Sequence, residues 1–230
     1  MGGQAGAGTR PTELFGQATE IMEVIPGINE VDFEEVARKF ETARGFGAEW
    51  VEIDIGDGKF GTVITWEEPE RLGELKPPPK VAVHLMVENS DAEAVNWMIE
   101  PVKRLLFHAE ATREPIRLAR MCREREIEPG LAMMAATPWE QIKELIAEFN
   151  FFQVLAVPPG RAGQKFDERA LVMLACLRQA APDAKIEVDG GVNLETAPRI
   201  ITAGATVLVA TSFIFGGYNP GAAYQTLKAL

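Results

Sequence analysis

Eight short apolar or alternating runs, each parted from the next by a segment of helical period, constrain this chain more than any other feature. In order they read IMEVIPGI, EWVEIDI, VAVHLM, VKRLLFHA, GLAMMA, FFQVLAV, AKIEVDGG and ATVLVAT. Between the first two, Phe33, Val36, Ala37 and Phe40 fall at i, i+3, i+4 and i+7, with Asp32 as N-cap and Glu35 three residues on, so Asp32 to Ala43 predicts an amphipathic helix. Thr137-Pro138-Trp139-Glu140 repeats the logic as cap, N1 proline and N3 acid ahead of Ile142, Leu145 and Ile146. Asp167 and Asn193 start further helices, and Tyr218 to Leu230 supplies a last one. Eight alternations over about 210 residues predict a single closed (β/α)8 TIM barrel, with an open doubly wound sheet as the alternative. No GxGxxG opens a helix after the first run, so a dinucleotide fold has no support. Residues 1–20, rich in Gly and Ala, are expected to form a loose tail, and residues 21–230 one catalytic domain.

Composition narrows the function classes. A formal charge of −11 repels nucleic acid and anionic membrane, and no basic cluster interleaved with aromatics overrides it. No apolar run approaches the roughly 18 residues of a membrane span. Cys122 and Cys176 lie far apart in helical patterns with no CxxC, which reads as buried thiols in a reducing cytoplasm.

In a barrel the chemistry gathers at the carboxyl ends of the strands. In Val51-Glu52-Ile53-Asp54-Ile55 the apolar set must face the helices, which sends Glu52 and Asp54 inward. By the same period His84 points inward with Ala82 and Met86, and Asp189 points inward with Glu187. Three acids and an imidazole converging there suit a divalent metal with mixed O/N ligands; the competing reading is a buried polar network. His108 reads first as a packed histidine, with a fifth site group through His108-Ala109-Glu110 as the alternative. A second kind of site comes from glycine-rich loops. Pro158 to Gln164, with Gly160 and Gly163, follows the sixth run; Gly190-Gly191 follows the seventh and Thr211-Ser212 the eighth. Loops at those places present backbone N–H groups to a phosphate, so an anion can bind without a basic patch.

These stretches are similar to the ribulose-phosphate 3-epimerases. The shared residues run from about Pro26 to Gly217: Ile53-Asp54 with Asp57-Gly58 and Phe60, then Val83-His84-Leu85-Met86-Val87-Glu88-Asn89 and Phe107-His108-Ala109-Glu110-Ala111-Thr112. Pro159-Gly160 with Gly163-Gln164-Lys165-Phe166, Glu187-Val188-Asp189-Gly190-Gly191-Val192 and Ile214-Phe215-Gly216 complete the set. The resemblance implies metal-dependent epimerisation at C3 of a ketopentose phosphate, D-ribulose 5-phosphate to D-xylulose 5-phosphate. Asp54 and Asp189 act from opposite faces as acid and base; Asp54, His84 and Asp189, with Glu52 at a position the family gives to histidine, hold the metal. It also implies a small phosphorylated sugar as substrate, Met86 with Gly160, Gly163, Gly190, Gly191, Thr211 and Ser212 around it, and a cytoplasmic homo-oligomer. The ligand chemistry admits Mn, Fe, Zn, Co or Mg, and three carboxylates favour Mn²⁺, Fe²⁺ or Mg²⁺.

The chain departs from the family's pattern at Glu52, at Gly27 and Glu30 where a Pro-Ser-Ile-Leu start and a serine are usual, and at Gly56 and Leu155 in place of methionines. Pro158 and Arg161 alter the loop, and Thr211 stands for a phosphate-binding glycine. Two other readings therefore stay open: a different isomerase or lyase activity on the same barrel, and a sugar-phosphate-binding relative without turnover.

Overall fold

A computed structural model describes residues 22–230; the tail expected over residues 1–20 lies outside the described residues. The eight runs form eight parallel strands: β1 (Glu23–Ile28), β2 (Trp50–Gly56), β3 (Lys80–Met86), β4 (Val102–His108), β5 (Glu128–Met134), β6 (Phe151–Leu155), β7 (Lys185–Asp189) and β8 (Val207–Ala210). They pair in chain order and β8 closes on β1, so the barrel has no free edge. The helices are α1 (Phe33–Gly45), α2 (Ser90–Trp97), α3 (Pro115–Arg123), α4 (Trp139–Ile142), α5 (Arg169–Ala180), α6 (Ala197–Thr202), α7 (Ser212–Phe215) and α8 (Pro220–Lys228).

Alternation within each strand sorts the side chains into two compartments. Val51, Ile53 and Ile55 join Phe33, Val36 and Phe40 of α1 in the layer between sheet and helices. A separate apolar cluster of Ile25, Ala82, Leu106, Phe151, Val207 and Val209 fills the barrel interior. That interior is packed to the limit: a side chain at Gly130 would collide with Leu106 and Phe151. α1 begins as its sequence requires, with Asp32 accepting from the Glu35 N–H at 2.9 Å.

Two local expectations are corrected. The connection between β2 and β3 carries no α-helix but a short 3₁₀ segment, Pro69–Glu74, because Pro69, Gly73 and the run Pro77-Pro78-Pro79 deny it a continuous hydrogen-bonded helix. After β5 the N-cap position falls on Pro138, one residue later than expected, and the helix is a single turn that passes into a 3₁₀ segment, Lys143–Glu148. Thr137 does not cap it; its hydroxyl donates to the Glu110 carboxylate. Asp167 lies one residue before the N-cap of α5 and accepts from the Arg169 N–H, while Asn193 lies three residues before the N-cap of α6 and accepts from the N–H groups of Glu195 and Thr196. Cys122 is buried in α3 and its thiol is pushed up to about 12 by burial, whereas Cys176 is only half-buried.

Candidate active site

The parallel register sets Asp54 of β2 beside His84 of β3. One atom from each of Glu52, Asp54, His84 and Asp189 lies within 4.8 Å of every other, and all four residues are buried. His84 Nδ1 is the centre of the group: 3.2 Å from Asp54 Oδ1, 3.5 Å from Asp189 Oδ2 and 3.9 Å from Glu52 Oε1. Alternation along β2, β3 and β7 thus turns all four side chains inward to one place. Lys185 at the start of β7 is exposed and pairs with Glu23 at 2.9 Å.

Three carboxyl groups around one imidazole leave an electrostatic imbalance. Burial, with the charges of Glu187, Asp189 and Asp54, drives Glu52 well above the usual carboxylate range. Burial and the Asp54 charge also raise Asp189, against the pull of His84. At His84 burial works against the charged form, but hydrogen bonds to Asp189 and Asp54 outweigh it and hold the imidazole up to about 9. Glu52 Oε2 is buried and has no hydrogen-bond partner. A dehydrated group of three carboxyls and an imidazole, which Glu52 faces through Oε1, fits a divalent cation that would balance its charge.

Residues that the sequence reading passed over support this group from two sides. Asn29, at the end of β1, donates to Asp54 Oδ2 at 2.9 Å, and Gln153 of β6 donates to Glu52 Oε1 at 2.9 Å. Below them Arg104, 1% exposed, pairs with Glu128 at 2.8 Å and lies over the rings of Phe151 and Trp50 at 3.7 and 4.2 Å. Its Nη1 is 4.0 Å from Glu187, whose carboxyl burial holds at about 7. The signal for Arg104 and Gln153 was present: Arg104, Leu106 and His108 alternate onto one face of β4, as do Phe151, Gln153 and Leu155 on β6.

His108 is a correction. It is buried, but it is not merely packed: its Nε2 lies 2.9 Å from His84 Nε2, and its Nδ1 lies 3.2 Å from Glu110 Oε2. Phe60 covers its ring at 4.6 Å between centroids. Burial and the charge of His84 lower His108 despite Glu110. Burial alone would raise Glu110, yet His108, Thr137 and the Met134 N–H together hold it down to about 2.

Above the acids a cavity brings the glycine-rich loops together. Met86, Gly160, Gly163, Gly190, Gly191, Thr211 and Ser212 all line it, along with Asp54 and Asp189. Gly190 and Gly191 have φ of +95° and +70°, and a Cβ on Gly191 would lie 2.8 Å from Phe166 Cα, so only glycine permits this turn. The loop from Pro158 is anchored across the mouth: Thr62 N–H donates to Pro159 O at 3.4 Å and Asn29 to Gly160 O at 3.4 Å. Two departures from the family's pattern prove to be physically paired. The Thr211 hydroxyl fills the space that any side chain at Gly27 would need. Gly56 is explained likewise, since a Cβ there would lie 2.6 Å from Val63 O in the loop folded back over β2.

The sequence model of the ribulose-phosphate 3-epimerase family matches residues 23–215. A ribulose-phosphate 3-epimerase of Mycobacterium tuberculosis (strain ATCC 25618 / H37Rv) is 31% identical over 211 residues, covering 89% of this chain and 91% of the relative. Those of Methanocaldococcus jannaschii and Bacillus subtilis (strain 168) are each 32% identical, covering 86% and 85% of this chain and 86% and 93% of the relatives. Among solved structures, a 3-hexulose-6-phosphate synthase superposes with a TM-score of 0.69 at 19% identity, over 90% of this chain and 99% of its own. An orotidine 5'-monophosphate decarboxylase of Sulfolobus solfataricus does so with a TM-score of 0.61 at 13% identity, over 90% and 96%. At those identities the structural likeness speaks to the fold alone.

Proposed function

This chain belongs to the ribulose-phosphate 3-epimerase family, and from that membership we propose that it interconverts D-ribulose 5-phosphate and D-xylulose 5-phosphate by moving the proton at C3. The observation that carries the reading is the pair Asp54 and Asp189, projected from β2 and β7 into one cavity and both within 3.5 Å of His84 Nδ1. Inversion at carbon needs one group to take the proton from one face and another to return it to the other, and two carboxyls on separate strands supply both. Asn29 orients Asp54 through its Oδ2, leaving Oδ1 to face His84 Nδ1 at 3.2 Å. For Asp189 the raised proton affinity suits a carboxyl that must also act as an acid.

Glu52, Asp54, His84 and Asp189 would hold one divalent cation, which supplies Lewis-acid stabilisation of the negative charge that develops beside C3. Three oxygens and one nitrogen favour Mn²⁺, Fe²⁺ or Mg²⁺ over Zn²⁺ or Co²⁺. The phosphate is bound by backbone N–H groups at Gly190-Gly191 and Thr211-Ser212, under the loop carrying Gly160 and Gly163, while Met86 contacts the sugar. Self-association rests on the resemblance alone, and a cytoplasmic location on the resemblance together with the pattern of Cys122 and Cys176. Among the described residues no helix is long and apolar enough to cross a membrane.

The test is conversion of D-ribulose 5-phosphate with Mn²⁺, Fe²⁺ or Mg²⁺ added. Wild type turns over, and Asp54→Asn and Asp189→Asn each lose at least about a hundredfold in both directions, because every turnover uses both groups. Wild-type protein inert with every metal, or either variant at wild-type rate, would refute the assignment.

A further inference from the structure

The contacts behind His84 form a continuous line of hydrogen-bonding groups leading away from the cavity. Glu110 sits in the short 3₁₀ segment after β4, where its Oε1 accepts from the Met134 N–H at 3.0 Å and from the Thr137 hydroxyl. Its Oε2 faces His108 Nδ1 at 3.2 Å, and His108 Nε2 faces His84 Nε2 at 2.9 Å. At the far end His84 Nδ1 stands among the three carboxyls.

Each link fixes the next. A carboxylate only accepts, so His108 must carry its proton on Nδ1. A neutral imidazole protonated on Nδ1 has a lone pair on Nε2, so the short contact between the two Nε2 atoms requires the proton on His84. A neutral His84 with Nε2–H then has its lone pair on Nδ1, aimed at Asp54, Asp189 and Glu52. We propose that Glu110 and His108 are positioning residues that lock His84 in the Nε2–H form and so commit its Nδ1 to binding the cation. The inference rests on the reading of His84 as a metal ligand. It explains why a fully buried imidazole that does not line the cavity is built into β4, and why the residue two beyond it is an acid tied to the Met134 N–H of β5.

The line has a polarity that a single atom can reverse. In Glu110→Gln the position facing Met134 N–H and Thr137 selects the amide oxygen, which turns the NH₂ toward His108 Nδ1. His108 must then accept there and carry its proton on Nε2, which forces His84 to accept at Nε2 and to carry its own proton on Nδ1, the ligating atom. His108→Gln preserves the original polarity, since its amide can donate to Glu110 and its carbonyl can accept from His84. His108→Leu removes the link altogether.

The chain contains two histidines, so a long-range ¹H–¹⁵N spectrum of full-length protein labelled at histidine reports four ring nitrogens in all. Wild type is expected to show His108 protonated on Nδ1 and His84 on Nε2 in both states, with His84 Nδ1 also protonated in the metal-free imidazolium and stripped of its proton once Zn²⁺, the diamagnetic probe, is bound. Glu110→Gln is expected to move the His108 proton to Nε2 and to raise the Zn²⁺ dissociation constant about 10- to 100-fold. His108→Leu should show a similar loss and His108→Gln should recover most of it. Wild-type protein with His108 protonated on Nε2, or a Glu110→Gln variant with unchanged tautomers and unchanged Zn²⁺ affinity, overturns the proposal. If Glu110→Gln does not fold, the wild-type spectrum and the contrast between Leu and Gln at position 108 decide it. Failure of Zn²⁺ to bind wild-type protein would instead count against the ligand reading, while the metal-free tautomers still test the line.

Discussion

Glu52 is the fourth member of the candidate metal group. It stands two residues before Asp54, inward by strand period, with one oxygen held by Gln153 and the other unpartnered. Glu52→Gln is expected to weaken metal binding at least about tenfold and to move the activity optimum to higher metal concentration. Glu52→His should shift preference toward Zn²⁺ or Co²⁺, as an added imidazole makes the donor set softer. Titration calorimetry with Mn²⁺ and Zn²⁺ checks both, and a Gln variant with unaltered metal dependence makes Glu52 a bystander. Glu110 gives a second prediction at this scale. Its carboxyl is held at about 2 against an ordinary 4.5, so its stabilising contribution is full above 4.5 and is lost as pH falls toward 2. The stability gap between wild type and Glu110→Gln, read by urea unfolding, should narrow across that window by an amount on the order of 3 kcal/mol. A gap independent of pH would contradict the assigned hydrogen bonds. The four inward donors were legible because a period of two decides which face each residue takes. His108 was not, because its role depends on a partner 24 residues away on the neighbouring strand, which no local pattern reports.

At the scale of elements, strand identity was legible throughout and helix detail was not. Parallel strands buried on both faces must be apolar with polar exceptions inward, and the eight runs show this directly. Helices on the outside tolerate variation, so the β2–β3 connection dispensed with an α-helix and used its length instead to fold back over β2 through Thr65, whose hydroxyl donates to Asp54 O at 2.8 Å and whose N–H donates to Gly56 O at 3.0 Å. Thr137 was misread for a related reason: a capping pattern predicts a bond within its own helix, but the Glu110 carboxylate was a stronger acceptor close by. The loop after β7 carries its own prediction. Gly191→Ala must displace the Phe166 backbone and adopt an unfavourable φ, so KM for the sugar phosphate should rise at least about tenfold, with the loop over the cavity disturbed. Unchanged KM in a folded variant would remove Gly191 from the phosphate site.

For the molecule as a whole, closure of the barrel joins what the sequence keeps apart. Glu52 and Asp189 are separated by more than half the chain, yet β1 and β8 bridge their strands into one mouth. The same closure would reconcile a net charge of −11 with the proposed anionic ligand, since it gathers the ends of β7 and β8, whose backbone N–H groups can supply positive potential locally. What unites the account is proton transfer at one carbon from two sides. The most direct test is deuterium incorporation at C3 in D₂O, with metal added, starting from each epimer of the ketopentose phosphate in turn. The account predicts that wild type exchanges both epimers, while Asp54→Asn and Asp189→Asn each exchange at most one, and never the same one. A single variant that exchanged both epimers at the wild-type rate would contradict it.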